Sequence, residues 1–115
     1  MADGIYSIKY TGQAGFGSAV AIFHGGEIFG IDAAGGEYTG TYQTTNGNIA
    51  GQLNLQVPAG VVLVTGAPPS ATPYTVPINF SFPATIGVQQ TVQTQVRLPT
   101  GAVNANIKKV KNLAS

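Results

Sequence analysis

Hydrophobic and polar residues alternate with a period of two along most of the chain. Residues 48–57 place Ile49, Gly51, Leu53, Leu55 and Val57 in one phase and Ala50, Gln52, Asn54 and Gln56 in the other. Residues 89–98 set Val92, Val96 and Leu98 against Gln89, Thr91, Gln93, Gln95 and Arg97. Because a strand turns successive side chains to opposite faces, the pattern predicts strands with one face in a core and the other in water. No window carries a 3.6-residue apolar stripe. Strands are predicted over 5–10, 18–24, 27–32, 37–45, 48–57, 74–83, 89–98 and 102–110, eight in all.

The punctuation between them fixes their order. Gly25-Gly26 and Asn46-Gly47 are two-residue hairpin signals, since both central positions of a type I′ turn need positive φ. Consecutive antiparallel neighbours follow. Eight such strands either roll into an up-and-down barrel or split into a β-sandwich. An open sheet here would show unpaired backbone flanked by Thr, Gln and Asn with almost no charge to repel another chain, and closure removes that hazard. The expected fold is therefore an all-β, single-domain, eight-stranded antiparallel barrel, with a sandwich as the alternative. The shared phase of alternation assigns Tyr6, Ile8, Val20, Ile22, Tyr38, Tyr42, Leu53, Leu55, Ile78, Phe80, Val92 and Val96 to the inner face. One segment is irregular: residues 58–73 carry four prolines and the run Val61-Val62-Leu63-Val64, and read as a cover over one barrel mouth, its return stiffened by Pro68-Pro69.

A chain of 115 residues buries enough surface for a real core without staples. With no cysteine it can form neither a disulfide nor a thiolate metal site. No secretory leader and no spanning apolar run is visible, so the expectation is a soluble, cytoplasmic protein without a membrane partner. Charged residues make up only 8% of the chain, against a usual ~25%. Residues 1–37 hold all four acids and Lys9, whereas Arg97, Lys108, Lys109 and Lys111 lie in the remainder. Nucleic-acid binding by counterion release needs a larger basic patch with stacking aromatics, so the C-terminal lysines read as a solvated strand end. Weak charge repulsion, together with outward Thr and Gln rows, predicts a homodimer.

Candidate chemistry is sparse. Gly12-Gln13-Ala14-Gly15-Phe16-Gly17 imitates a phosphate loop but feeds a strand and not a helix, and reads as a hairpin loop. His24, the single histidine, sits before a turn, with no base, nucleophile or ligand set converging on it. Asp32 and Glu37 flank Ala33-Ala34-Gly35-Gly36; an Asp at a strand end usually accepts bonds from the following backbone, an Asx-type turn. No catalytic residue, metal or cofactor is expected. A ligand site, if the barrel is open, is placed at Tyr6, Ile8, Tyr38, Gly40, Tyr42, Gly51, Leu53 and Phe80. There the inward glycines are expected to leave room and the tyrosine hydroxyls to orient a polar head group.

Taken in order, Gly4-x-Tyr6-Ser7, the hairpin glycine Gly26, Asp32 closing the third strand, and Tyr38-x-Gly40-x-Tyr42 resemble the GrlR family, small bacterial proteins named for a negative regulator of type III secretion. The resemblance covers residues 3–55, and the remainder as a strand pattern. It implies a lipocalin-like, dimeric barrel with an apolar cavity, and a regulatory role in which a protein partner, a transcriptional activator in the founding member, is bound. The acidic run that member carries between its fourth and fifth strands has no counterpart in Gln43–Asn48, so no partner-binding residue is carried over. Two functions are expected from this reading: a regulatory interaction module, or a barrel that binds a small apolar ligand.

Overall fold

The computed structural model of the protein describes residues 2–114. Its strands are β1 (Gly4–Gly12), β2 (Gly15–His24), β3 (Glu27–Asp32), β4 (Glu37–Thr45), β5 (Asn48–Val57), β6 (Tyr74–Pro83), β7 (Thr91–Leu98) and β8 (Gly101–Asn112). They hydrogen-bond in sequence order, and β1 pairs with β8 to close the barrel. All neighbours are antiparallel. No described residue lies in a helix, and none is long and apolar enough to cross a membrane. The predicted strands are all present, because their punctuation is genuine turn chemistry: Gly25-Gly26 has φ of 61° and 85°, and Asn46-Gly47 has 52° and 80°.

The barrel has two unlike ends. At one, Tyr6, Phe23, Tyr42, Phe80 and Phe82 form a contiguous aromatic plug. Tyr6 and Phe23 lie 4.7 Å apart, Phe23 and Tyr42 5.0 Å, and Tyr6 and Phe82 5.7 Å. Ile86, from the β6–β7 link, is buried beneath it. At the other end Leu55, Val57, Val76 and Ile78 form a second cluster, on which Val61 and Leu63 of the 58–73 segment pack. That segment forms neither strand nor helix. It is tied to the β1–β2 hairpin by Ala14 N donating to Val64 O at 2.7 Å, and to the β7–β8 turn by Thr65 and Thr100 hydroxyls 2.9 Å apart.

Two expectations fail, each for a definable reason. Val20 and Ile22 point outward, while Ala19, Ala21 and Phe23 face the interior. Strand β2 is apolar in both phases, so alternation alone cannot orient it; its pairing decides, because Tyr6 faces Ala21 across the β1–β2 ladder and partners share a side. Lys109 is not part of a solvated strand end. Lys109 continues the inward phase of Val103, Ala105 and Ile107, and the β-bulge at Val110, where Ile5 pairs with Lys111 but Tyr6 with Lys109, falls just beyond it. It is 2% exposed, with its ammonium 5.8 Å from the centre of the Tyr6 ring.

The wall is not uniform. The β6–β7 ladder registers at one pair, Asn79 with Arg97. Continuing that register would set Pro77 opposite Pro99 and Pro83 opposite Gln93, and a proline has no N–H to donate. Thr94 Oγ1 instead donates to Ser81 O at 2.9 Å, capping a carbonyl the ladder leaves over.

In the β4–β5 ladder Gly40 faces Leu53 and Gly51 faces Tyr42, and neither glycine leaves space for a side chain. A Cβ at Gly40 would run into the Gln52 carbonyl oxygen, and one at Gly51 into that of Thr41. Gly40→Ala and Gly51→Ala should therefore each destabilise the fold by about 1–3 kcal/mol, the usual cost of overpacking. Urea unfolding measures this. Changes within ~0.5 kcal/mol, typical of uninvolved surface positions, would show that the two backbones do not need to approach this closely.

Candidate ligand-binding cavity

Between the aromatic plug and the proline-rich cover lies a cavity of about 390 Å³. Its size comes from residue choice on the inward phase. The small Ala19, Ala21 and Ala105 stand beside Ile8, Leu53, Ile78, Val96 and Ile107, so the side chains from opposite walls do not meet. An eight-stranded barrel is at the limit where its interior is either filled or holds one small molecule. At ~30 Å³ of liquid volume per water, the space equals about a dozen waters, within the range of small-ligand pockets. Phe16, Pro58 and residues 61–64 line its mouth.

One polar cluster edges this apolar space. Asp32 ends β3 in the inward phase, opposite Ala19. Its Oδ1 accepts from Ala34 N at 3.0 Å and Gly36 N at 2.7 Å, the expected turn. Its Oδ2 accepts the Tyr38 hydroxyl at 2.9 Å and the Tyr10 hydroxyl at 3.5 Å. The carboxylate thus links β1, β3 and β4. Tyr10 reaches it by lying flat across Gly17 of β2, where a Cβ would come within 2.6 Å of the ring. Burial, chiefly, pushes the Tyr10 and Tyr38 hydroxyls above the ordinary tyrosine range, with the Asp32 charge acting in the same sense.

The eight residues proposed from sequence separate into two groups. Tyr6, Ile8, Tyr38, Leu53 and Phe80 line the cavity. Gly40, Tyr42 and Gly51 do not: the glycines leave no room inside, because the space over them is filled by neighbouring backbone. Tyr42 belongs to the plug, and its hydroxyl donates to Asp3 Oδ1 at 2.5 Å. Gly25 N donates to the same carboxylate at 3.3 Å, and the Tyr42 bond, foremost, holds Asp3 below the usual carboxylate range. Asp3 thus ties the chain's start to the β2–β3 turn. His24 is exposed nearby, its Nε2 3.1 Å from Ala114 O. Glu37 pairs with the outward Ile31 and stands on the other side of the wall from Asp32, so the two carboxylates form no acid–base pair. Among the described residues, no group of three or more His, Cys, Asp or Glu side chains is placed to hold a metal ion.

Sequence reasoning missed Tyr10 and the inward role of Asp32. The signal was present: Tyr10 continues the phase of Tyr6 and Ile8, and Gly17 lies opposite it. No family model matches the chain, and no curated protein is found similar to it. The GrlR-like reading therefore rests on the order and spacing of the motifs quoted above.

The tyrosines make a pH prediction. Tyr6 and Tyr42 are pushed up to about 12, chiefly by burial, from an ordinary value of 10.0. A group whose folded value is raised contributes stability that is complete below the unfolded value and is lost as pH climbs toward the folded one. The fold should hold up to about pH 10 and weaken between 10 and 12, with tyrosinate absorbance lagging behind that of the unfolded chain. Coincident titration of folded and unfolded protein would contradict the buried hydroxyls.

Proposed function

We propose that this barrel binds a small, largely apolar molecule inside its cavity. The observation that carries the reading is a 390 Å³ space walled by aliphatic and aromatic side chains and edged by one polar cluster. Apolar walls with a few convergent polar groups are what small-ligand sites share. A cover of turns, held to the barrel rim by few bonds, suits entry and exit better than a strand would. The role is non-enzymatic and cytoplasmic in this reading. An environment-sensitive apolar dye should bind the folded protein. Ile8→Trp and Leu53→Trp, which fill the space from opposite walls, should weaken that binding at least tenfold while preserving the β-sheet spectrum. Undiminished binding to both well-folded variants would place the dye elsewhere.

A second reading, self-association, is favoured by the outer wall. Val20, Ile22, Phe29 and Ile31 are 48%, 41%, 50% and 54% exposed, and form two cross-strand pairs, Val20 with Ile31 and Ile22 with Phe29. Lys9, Lys108 and Lys111 flank this patch on the β1–β8 side, and Glu27 and Glu37 on the β3–β4 side. A two-fold axis lying in the patch along its strands would bring each basic flank against the other copy's acidic flank, the self-complementarity an isologous dimer needs. In this reading the dimer forms through the apolar β2–β3 wall and not through the Thr and Gln rows. Sedimentation at micromolar concentration should give a dimer, and the double variant Phe29→Glu, Ile31→Lys a folded monomer. A monomeric parent protein would contradict this interface. A GrlR-like regulator would present the same wall to a transcription factor, and a specific co-purifying protein in place of a dimer would select that reading.

A further inference from the structure

The polar edge of the cavity has a directional character that restricts what can bind, an inference that rests on the cavity reading above. Among the described residues, Asp32 is the one charged residue lining the space, and no Lys, Arg or His lines it. Lys109 lies in the plug, against the Tyr6 ring. A tyrosine hydroxyl has one proton to donate, and both Tyr10 and Tyr38 direct theirs to Asp32 Oδ2. The adjacent backbone N–H groups are engaged as well: Ala33 N donates to Ser18 O at 3.1 Å, and Ala34 and Gly36 to Asp32 Oδ1. The Tyr6 hydroxyl donates to Ala2 O at 2.6 Å. Ser18 is exposed at the rim. What faces the cavity from the Asp32 cluster is therefore oxygen lone pairs beside a negative charge.

We propose that the cavity selects amphiphiles whose head group donates hydrogen bonds and is neutral or cationic, an alcohol or an ammonium, and rejects carboxylates. A donor head can bond to the lone pairs that the Tyr10 and Tyr38 oxygens keep beyond their contact with each other. An ammonium gains further from the Asp32 carboxylate. A carboxylate head would find no donor in the Asp32 cluster, only the solvent-exposed hydroxyl of Ser18 at the rim, and would be desolvated beside a like charge, the costliest way to bury an ion. The device is the same one that makes a binding site reject a close analogue: a fixed polar group left facing the wrong partner.

The test is a head-group series on one alkyl chain, octan-1-ol, octylamine and octanoate, titrated into the full-length protein at neutral pH by displacement of the apolar dye. Octanol and octylamine should each bind at least tenfold tighter than octanoate. Asp32→Asn sharpens the test. The Asn carbonyl can still accept from Ala34 and Gly36, but its amide donates toward the tyrosine oxygens, so both hydroxyls turn their protons into the cavity. The preference should then shift at least tenfold toward octanoate. If that variant does not fold, Tyr38→Phe serves instead: it removes one acceptor, and should weaken octanol and octylamine several-fold while leaving octanoate unchanged. Dye binding that no alkyl compound displaces, or octanoate binding the parent protein as tightly as the other two, overturns the head-group assignment. Absence of dye binding altogether overturns the cavity reading itself.

Discussion

The ladder between the first and last strands is the constraint on which the rest of the molecule depends. Gly4–Thr11 pairs with Asn104–Asn112, joining the two ends of the chain. Without it, the meander would leave β1 and β8 as two long strands with an unpaired backbone edge each, open to pairing with other chains. Closure also makes an inside. The inward phases of eight strands converge on one axis only when the first and last are bonded, and the polar rows then form the outer wall. The bulge at Val110 belongs to this closure. It lets β8 keep its ladder with β1 beyond Lys109, which follows Val103, Ala105 and Ile107 on the inward phase and ends against the Tyr6 ring.

Inside, large and small residues are distributed by level. Aromatics gather at one end, where Asp3 binds both Tyr42 and the β2–β3 turn and anchors the plug. Alanines lie on the inward phases of β2 and β8, opposite the aliphatic residues of β5 and β6. The cavity is the result of that distribution. Its one polar cluster serves structure and recognition together. By accepting four bonds, Asp32 holds the β3–β4 link and two tyrosines in place, and by doing so it consumes the donors a ligand would otherwise meet. Strength at this edge is matched by weakness at another. Proline placement on β6 and after β7 thins the ladder between them, so the wall is least bonded along that seam.

The fold was legible because its local signals agree: two-residue alternation, glycine and asparagine turns, and a shortage of charge that disfavours edges. Strand β2 escaped that logic, since Ala19-Val20-Ala21-Ile22-Phe23 is apolar throughout and only the pairing of Tyr6 with Ala21 tells inside from outside. The glycines misled in a subtler way. A glycine on an inward phase reads as missing volume, but Gly40 and Gly51 sit where neighbouring carbonyls already occupy the space. Asp32 was legible as a turn residue and not as the cavity's polar edge, because its partners Tyr10 and Tyr38 lie 22 and 6 residues away and meet only when three strands are aligned. Lys109 was legible in its phase, two residues after Ile107 on the inward side of β8, and was misjudged because its charge alone was taken to demand solvent.

The central claim is that the space between plug and cover is a true apolar void. Crystals held under xenon pressure test it directly, because an empty apolar cavity takes up xenon whereas a filled or hydrated one does not. The account predicts xenon among Ile8, Leu53, Ile78 and Val96 in the unliganded protein. A chain of ordered waters there, or side chains closed across the gap with no xenon site, would contradict it.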